Sequence, residues 1–115
     1  MSYVATLQNV APTFDNCSNP TGIESITTTI KTFTAKNGSA DSNEYTNQLT
    51  FDLDPSQANY SLINSQFNMS TNGVLTVNPN VLVDLTTYTV VARVRDVDGA
   101  GLSTTCSITF TVGIQ

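Results

Sequence analysis

The tightest constraint on this chain is a period of two in its last third. In YTVVARVRD, Tyr88, Val90, Ala92 and Val94 fall on one side, while Thr89, Arg93 and Arg95 fall on the other. A β-strand alternates its side chains with that period and an α-helix does not. After Asp98-Gly99 and Gly101, LSTTCSITFTV repeats the pattern, with Leu102, Cys106, Ile108, Phe110 and Val112 in one phase and Ser103, Ser107, Thr109 and Thr111 in the other. Two alternating strands across a Gly-rich turn form a hairpin with one buried face and one wet face. The buried face needs a second layer to cover it.

Upstream segments supply that layer. Leu49, Phe51 and Leu53 alternate with Thr50 and Asp52, and an Asn72-Gly73 turn opens a strand with Leu75 and Val77 inward. The stretch IESITTTIKTFTAK slips phase, Ile26 and Ile30 against Phe33 and Ala35, so a bulge or a break between two strands is expected there. NPTG and AKNGSADSNEYTN read as loops. No window keeps a helical period, so no helix longer than about two turns is expected. Ser, Thr and Asn make up about a third of the chain, and this too favours strands over helices. At 115 residues the chain is one domain of about seven strands.

Charge narrows the function. The net charge is −5, and the basic residues Lys31, Lys36, Arg93 and Arg95 form no run, so nucleic acid and anionic membranes are excluded as partners. No apolar run approaches the roughly 18 residues that membrane insertion requires. The opening MSYVATLQNV has neither the basic nor the apolar region of a secretory signal. The chain has no histidine, which removes the commonest general base. Asp52 and Asp54 stand at the spacing of two carboxylates on one strand face, but Leu49, Phe51 and Leu53 put that face toward solvent and Pro55 ends the strand. A solvated edge is the reading, and the chain is not expected to be an enzyme.

The motifs then resemble, in order, those of a cadherin-like repeat. Pro12-Thr13-Phe14 is similar to the family's opening P-x-F, and LTFDL to its I-x-Y-x-I strand. FNMSTNGVLTV resembles F-x-I-x-x-x-x-G-x-I through Phe67, Gly73 and Leu75, and DLTTYTVVARVRD keeps Asp84, Tyr88 and Asp96 of the family's later motif. DLTTY also resembles the tyrosine corner of immunoglobulin-like domains, with Asp84 and Tyr88 in its D-x-x-x-Y. Either resemblance implies an all-β Greek-key β-sandwich, cadherin-like or immunoglobulin-like. The expected layout is an arm or first strand at 1–10 and the sandwich at 11–115.

In calcium-binding cadherin repeats, carboxylates from several segments hold the ion. Here the D-x-D position reads Lys36-Asn37-Gly38 and D-R-E has become Asp84-Leu85-Thr86, leaving Glu24, Asp84 and Asp96 as weak calcium candidates. A hard cation wants six to eight oxygens, so no cofactor is expected. Cys17 and Cys106 lie near opposite ends of the chain, where first and last strands of such sandwiches are neighbours; a disulfide and two separate thiols both remain open. Tyr3, Tyr45, Tyr60 and Phe67 offer an aromatic patch for carbohydrate, set against the commoner role of such residues in a core. Four N-x-S/T sequons, at Asn16, Asn37, Asn59 and Asn68, are near the chance number for so much Asn, Ser and Thr.

The expected function is a non-enzymatic structural or interaction domain with protein partners, itself or other assembly subunits, at a virion surface or in the extracellular space. A decoration, fibre or auxiliary subunit of a virion or phage comes first, a single repeat of a bacterial adhesin second, and a small carboxylate-dependent hydrolase last. Two uncharged edges, SYVATLQNV and the terminal strand LSTTCSITFTV, are expected to invite pairing with another chain.

Overall fold

The computed structural model describes residues 11–36, 49–96 and 101–113. Within them the chain forms β1 (Thr13–Phe14), β2 (Thr29–Thr32), β3 (Ala35–Lys36), β4 (Thr50–Leu53), α1 (Tyr60–Gln66), β5 (Phe67–Met69), β6 (Val74–Val77), β7 (Thr87–Arg95) and β8 (Ser103–Thr111). One sheet has the order β2-β6-β5, another β4-β7-β8, and β1 pairs with β3 alone. All these pairings are antiparallel. The neighbours β2·β6 and β4·β7 are far apart in sequence, the crossed connections of a Greek-key sandwich.

The period-two pattern builds the longest ladder. β7 and β8 pair from Thr87↔Thr111 to Arg95↔Ser103, and along both strands the even-numbered residues from Val90 to Val94 and from Cys106 to Phe110 are buried. Their side chains meet Phe51 and Leu53 of β4, Ile30 of β2, Phe67 of β5, and Leu75 and Val77 of β6 in one core. Each such side chain contributes roughly 1.5–3 kcal/mol when fully buried. Phe67 and Phe110 meet edge to face, with ring centroids 6.4 Å apart.

The phase slip resolves in both expected ways. The β2 register shifts between Thr29 and Lys31, and a break at Phe33-Thr34 separates β2 from β3. Phe33 is thereby buried, whereas Ile26, expected in phase with Ile30, lies in a turn and is 73% exposed. The helix α1 is shorter than two full turns, and the period-two reading passed over it. Tyr60, Ile63 and Phe67 stand at i, i+3 and i+7, so one side of this turn of chain packs on the core.

Gly73 shows how closely the two sheets approach. Its φ is +97°, and a Cβ there would lie 2.6 Å from the Phe33 carbonyl oxygen and 3.3 Å from the Phe51 ring. The Phe33 N–H donates to the Gly73 carbonyl at 2.7 Å, and the Phe51 N–H to that of Thr71 at 3.1 Å. The turn thus ties β2 and β4 to β6. Gly73→Ala combines a disfavoured φ with a backbone clash and is expected to cost roughly 2–3 kcal/mol. Urea unfolding checks it: a shift below about 0.5 kcal/mol would mean that the turn relaxes freely.

Candidate functional site

On the outer face of the β4-β7-β8 sheet, cross-strand register places Asp52 opposite Arg93. Arg93 donates through Nε to Oδ1 at 2.8 Å and through Nη2 to Oδ2 at 2.5 Å, while Arg95 Nη2 reaches Oδ2 at 3.3 Å. The hydrogen bonds that it donates to Asp52 hold the Arg93 guanidinium above its ordinary pKa despite some desolvation. Asp54 instead accepts from the Ser56 hydroxyl and N–H, closing the turn after β4. One carboxylate is bound to two cations and the other to a turn, an arrangement without a proton donor and acceptor facing a common space.

The three calcium candidates lie at opposite ends of the sandwich. Glu24 forms a parallel bridge with Gly113, and the Leu85 N–H donates to the Val112 carbonyl, so Glu24 and Asp84 belong to the end where β8 finishes. Asp96 follows β7 at the other end, nine strand residues or about 30 Å away. Among the described residues, no three carboxylate, Cys or His groups cluster. Asp96 is fully buried and neither carboxylate oxygen has a hydrogen-bond partner among the described residues, a donor site that supplies two oxygens of the six to eight calcium needs. Among the described residues, neither end assembles the ligands of a calcium cage. The Glu24 end carries instead the exposed apolar side chains Ile26, Val83 and Leu85.

Tyr88 anchors that end. Its hydroxyl donates to the Val81 carbonyl at 3.2 Å and accepts from the Val83 N–H at 3.0 Å. These bonds hold the turn in which Leu85 takes a φ of +63°. Asp84 is exposed and contributes no hydrogen bond to this corner.

The sheet edges are unequal. Cys17 and Cys106 are joined with S–S 2.17 Å and Cα–Cα 5.8 Å, closing a separation of 89 residues. By loop-closure entropy such a link contributes about 4.6 kcal/mol. It is one rivet of a strap along β8: the Thr104 hydroxyl donates to the Pro12 carbonyl at 2.5 Å, the Thr109 N–H to Asn19 Oδ1 at 2.9 Å, and the Gly113 N–H to the Ile23 carbonyl at 2.8 Å. The terminal strand, expected to offer an open edge, is therefore covered.

The open edge lies elsewhere. β4 pairs with β7 only from Ala92 to Arg95. Beyond it, the Asp54 N–H and Gln57 Nε2 donate to the Val91 carbonyl, and the Val91 N–H donates to Gln57 Oε1 at 3.0 Å. The Gln57 amide extends the ladder by one residue. Thr86 and Asp96 bond β8, so even-numbered residues of β7 turn their backbone groups to β8 and odd-numbered ones turn away. Thr87 and Thr89 consequently present N–H and C=O to a side where no strand pairs among the described residues. A groove of ≈ 420 Å³ runs along this edge, walled by Leu62 and Ile63 of α1 and by Gln57, Tyr88 and Val91.

Of the four residues of the expected aromatic patch, two are described. Phe67 is buried against Tyr88 and Phe110, Tyr60 is half-buried, and Tyr3 and Tyr45 lie outside the described residues. No family model matches the sequence, and no curated protein matches it. Solved structures do. The protocadherin gamma C5 EC1-3 structure superposes with a TM-score of 0.67 at 22% identity, covering 90% of this chain and 33% of that one. The protocadherin gammaB7 EC3-6 cis-dimer gives 0.64 at 16%, covering 91% and 26%. Drosophila N-cadherin EC1-4 gives 0.59 at 22%, covering 90% and 25%.

The fold is that of a cadherin extracellular domain. This chain spans a third or less of those chains. The cadherin-like order of Pro12, Phe67, Gly73, Leu75, Tyr88 and Asp96 was legible in the sequence. The Gln57 cap and the unpaired stretch of β7 were not, because a glutamine in a turn and the length of a partner strand carry no periodic signal. As the cadherin-like sandwich separates its carboxylates, its melting temperature in millimolar calcium is expected to equal that in EDTA within about 1 °C. Differential scanning calorimetry checks this, and a rise of several degrees would show an assembled site.

Proposed function

We propose that this domain is a non-enzymatic protein-interaction module that works outside the cell, as one sandwich of an adhesive surface. The observation that carries the reading is the open, uncharged edge of β7 with its groove, on a fold that cadherin extracellular domains share. Free ladder groups beside apolar walls recognise backbone and alternating side chains, which is protein chemistry. The Cys17–Cys106 disulfide suits an oxidising environment. Among the described residues, no helix is long and apolar enough to cross a membrane.

The resembled structures include extracellular domains of protocadherins, and one is a cis-dimer. This favours the surface-repeat setting over the virion or phage subunit expected first from the sequence. The unit is taken as residues 11–115, with 1–10 as an arm available for contact. Calcium has no part in the reading, whose contacts are made by main chain and apolar groups.

Labelled full-length chain is expected to bind saturably to a surface protein, on cells of its source or on beads coated with the chain itself, in the presence of EDTA. Raising salt from 50 to 500 mM is expected to change affinity by less than about threefold, because little charge is involved. Absence of saturable binding to either surface, or a tenfold or greater loss with salt, would contradict the proposal.

A further inference from the structure

The strap over β8 is fastened differently on its two sides. Toward β2 and β3 it is bonded much as a strand would be. Thr13 pairs with Lys36 and Phe14 with Ala35, and the Asp15 N–H donates to the Thr34 carbonyl at 2.9 Å. The Asn16 amide donates to the Thr32 carbonyl at 2.9 Å and accepts from the Thr34 N–H at 3.0 Å. Toward β8, by contrast, side chains supply the hydrogen bonds, from the Thr104 hydroxyl to Pro12 and from the Thr109 N–H to Asn19 Oδ1. Main chain meets main chain at Ile23 and Gly113, past the end of the strand.

Even-numbered residues of β8 bond β7, so the odd-numbered ones turn their backbone groups toward the strap. Thr109 finds Asn19 there. Thr105 and Ser107, on either side of Cys106, have no backbone partner on that side among the described residues. Between Thr104 and Thr109, the bond that holds the strap against β8 among those residues is the Cys17–Cys106 disulfide. Its two halves are unequally accessible, because Cys106 faces the core and is 2% exposed whereas Cys17 is exposed on the strap. A thiolate breaks a disulfide by reaching one of its sulfurs, so access selects the site of attack. Here access favours Cys17, with Cys106 as the leaving group.

We propose that the Cys17–Cys106 disulfide is a redox-operated clasp: a thiol or dithiol reductant attacks Cys17, and the strap then stays with β2 and β3 while the β8 edge from Thr105 to Thr109 opens. The attacking thiolate forms a new S–S bond to Cys17 Sγ, the bond to Cys106 breaks, and Cys106 leaves as a thiolate that takes up a proton. With a dithiol, its second thiolate displaces the Cys17 sulfur. The protein has then gained two electrons and two protons, and the reductant is left as a disulfide. The uncovered stretch TCSIT carries no charge and no Pro to blunt it. Oxidised, the chain offers the β7 edge; reduced, it offers the β8 edge as well. Failure of the surface-binding experiment would remove a use for that second edge without altering the clasp.

A trapping experiment on the full-length oxidised chain tests the site of attack. The folded protein is treated with glutathione, alkylated with N-ethylmaleimide and digested for mass spectrometry. Glutathione on Cys17 with the alkyl group on Cys106 is expected in about tenfold or greater excess over the reverse. The reverse pattern, or no reaction until denaturant is added, would overturn the clasp. Amide exchange by NMR then tests the opening, in the oxidised chain, in the chain with excess dithiothreitol, and in Cys17→Ser. Thr109 is expected to be protected in the oxidised chain, and in the other two to exchange about a hundredfold or more faster than Ile108, which β7 still holds. Thr109 as protected as Ile108 after reduction would show that the strap stays in place without the disulfide. Loss of protection at both residues together would show that the link holds the whole fold and not one edge, and either result would overturn the proposal.

Discussion

The ladder between β7 and β8 is the interaction on which the other features depend. Nine consecutive residue pairs fix two strands in one register, and a slip of one residue would turn Val90, Ala92, Val94, Cys106, Ile108 and Phe110 out of the core together. The same register decides what lies outside. It pairs Thr87 with Thr111 and Thr89 with Thr109, hydroxyl to hydroxyl at 2.7 and 3.1 Å. It also decides which backbone groups face β8 and which face away. Core, surface chemistry and edge chemistry are three consequences of one alignment.

An exposed edge is a hazard that sandwiches cover, twist or charge. Here the β8 side is covered by a strap that is bonded along its length and riveted by Cys17–Cys106. On the other side β4 protects β7 only as far as Ala92, and Gln57 shields Val91. Protection then stops, although the strand continues to Thr87 with neither Lys nor Pro. Tyr88 pins the Val81–Leu85 turn that leads into this stretch through its hydroxyl. A half-paired strand whose open stretch, Thr87 to Val91, is uncharged and borders a groove is an arrangement that recognition by strand addition uses.

The sequence disclosed those parts of the fold that repeat. Alternation placed β4, β6, β7 and β8 and their inward residues except Leu102, which precedes β8 and is exposed, and the phase slip between Ile30 and Phe33 marked the bulge and break that the chain makes there. It did not disclose α1, because seven residues with a single fully buried side chain, Ile63, are too short for a helical period to emerge. It misjudged the edges for a related reason. Absence of charge in LSTTCSITFTV is a local property, but whether an edge is open depends on Asn19 and Ile23, some ninety residues away in sequence. Cys17 was the single strap residue whose chemistry hinted at that contact. The carboxylates show the same limit, since Asp84 and Asp96 lie twelve positions apart in sequence at opposite ends of a strand.

The central claim is that β7 is bonded on one side along its whole length and on the other side along only half of it. Amide hydrogen exchange followed by NMR reads this residue by residue, at concentrations too low for association. Val90, Ala92 and Val94 are expected to exchange slowly, at rates near those set by global unfolding, and Val91 and Arg93 to be protected as well. Thr87 and Thr89, between and beside protected neighbours, are expected to exchange at least a hundredfold faster than Val90. Equal protection of Thr89 and Val90 in the monomer would mean that the edge is already paired, and the account of this surface would be wrong.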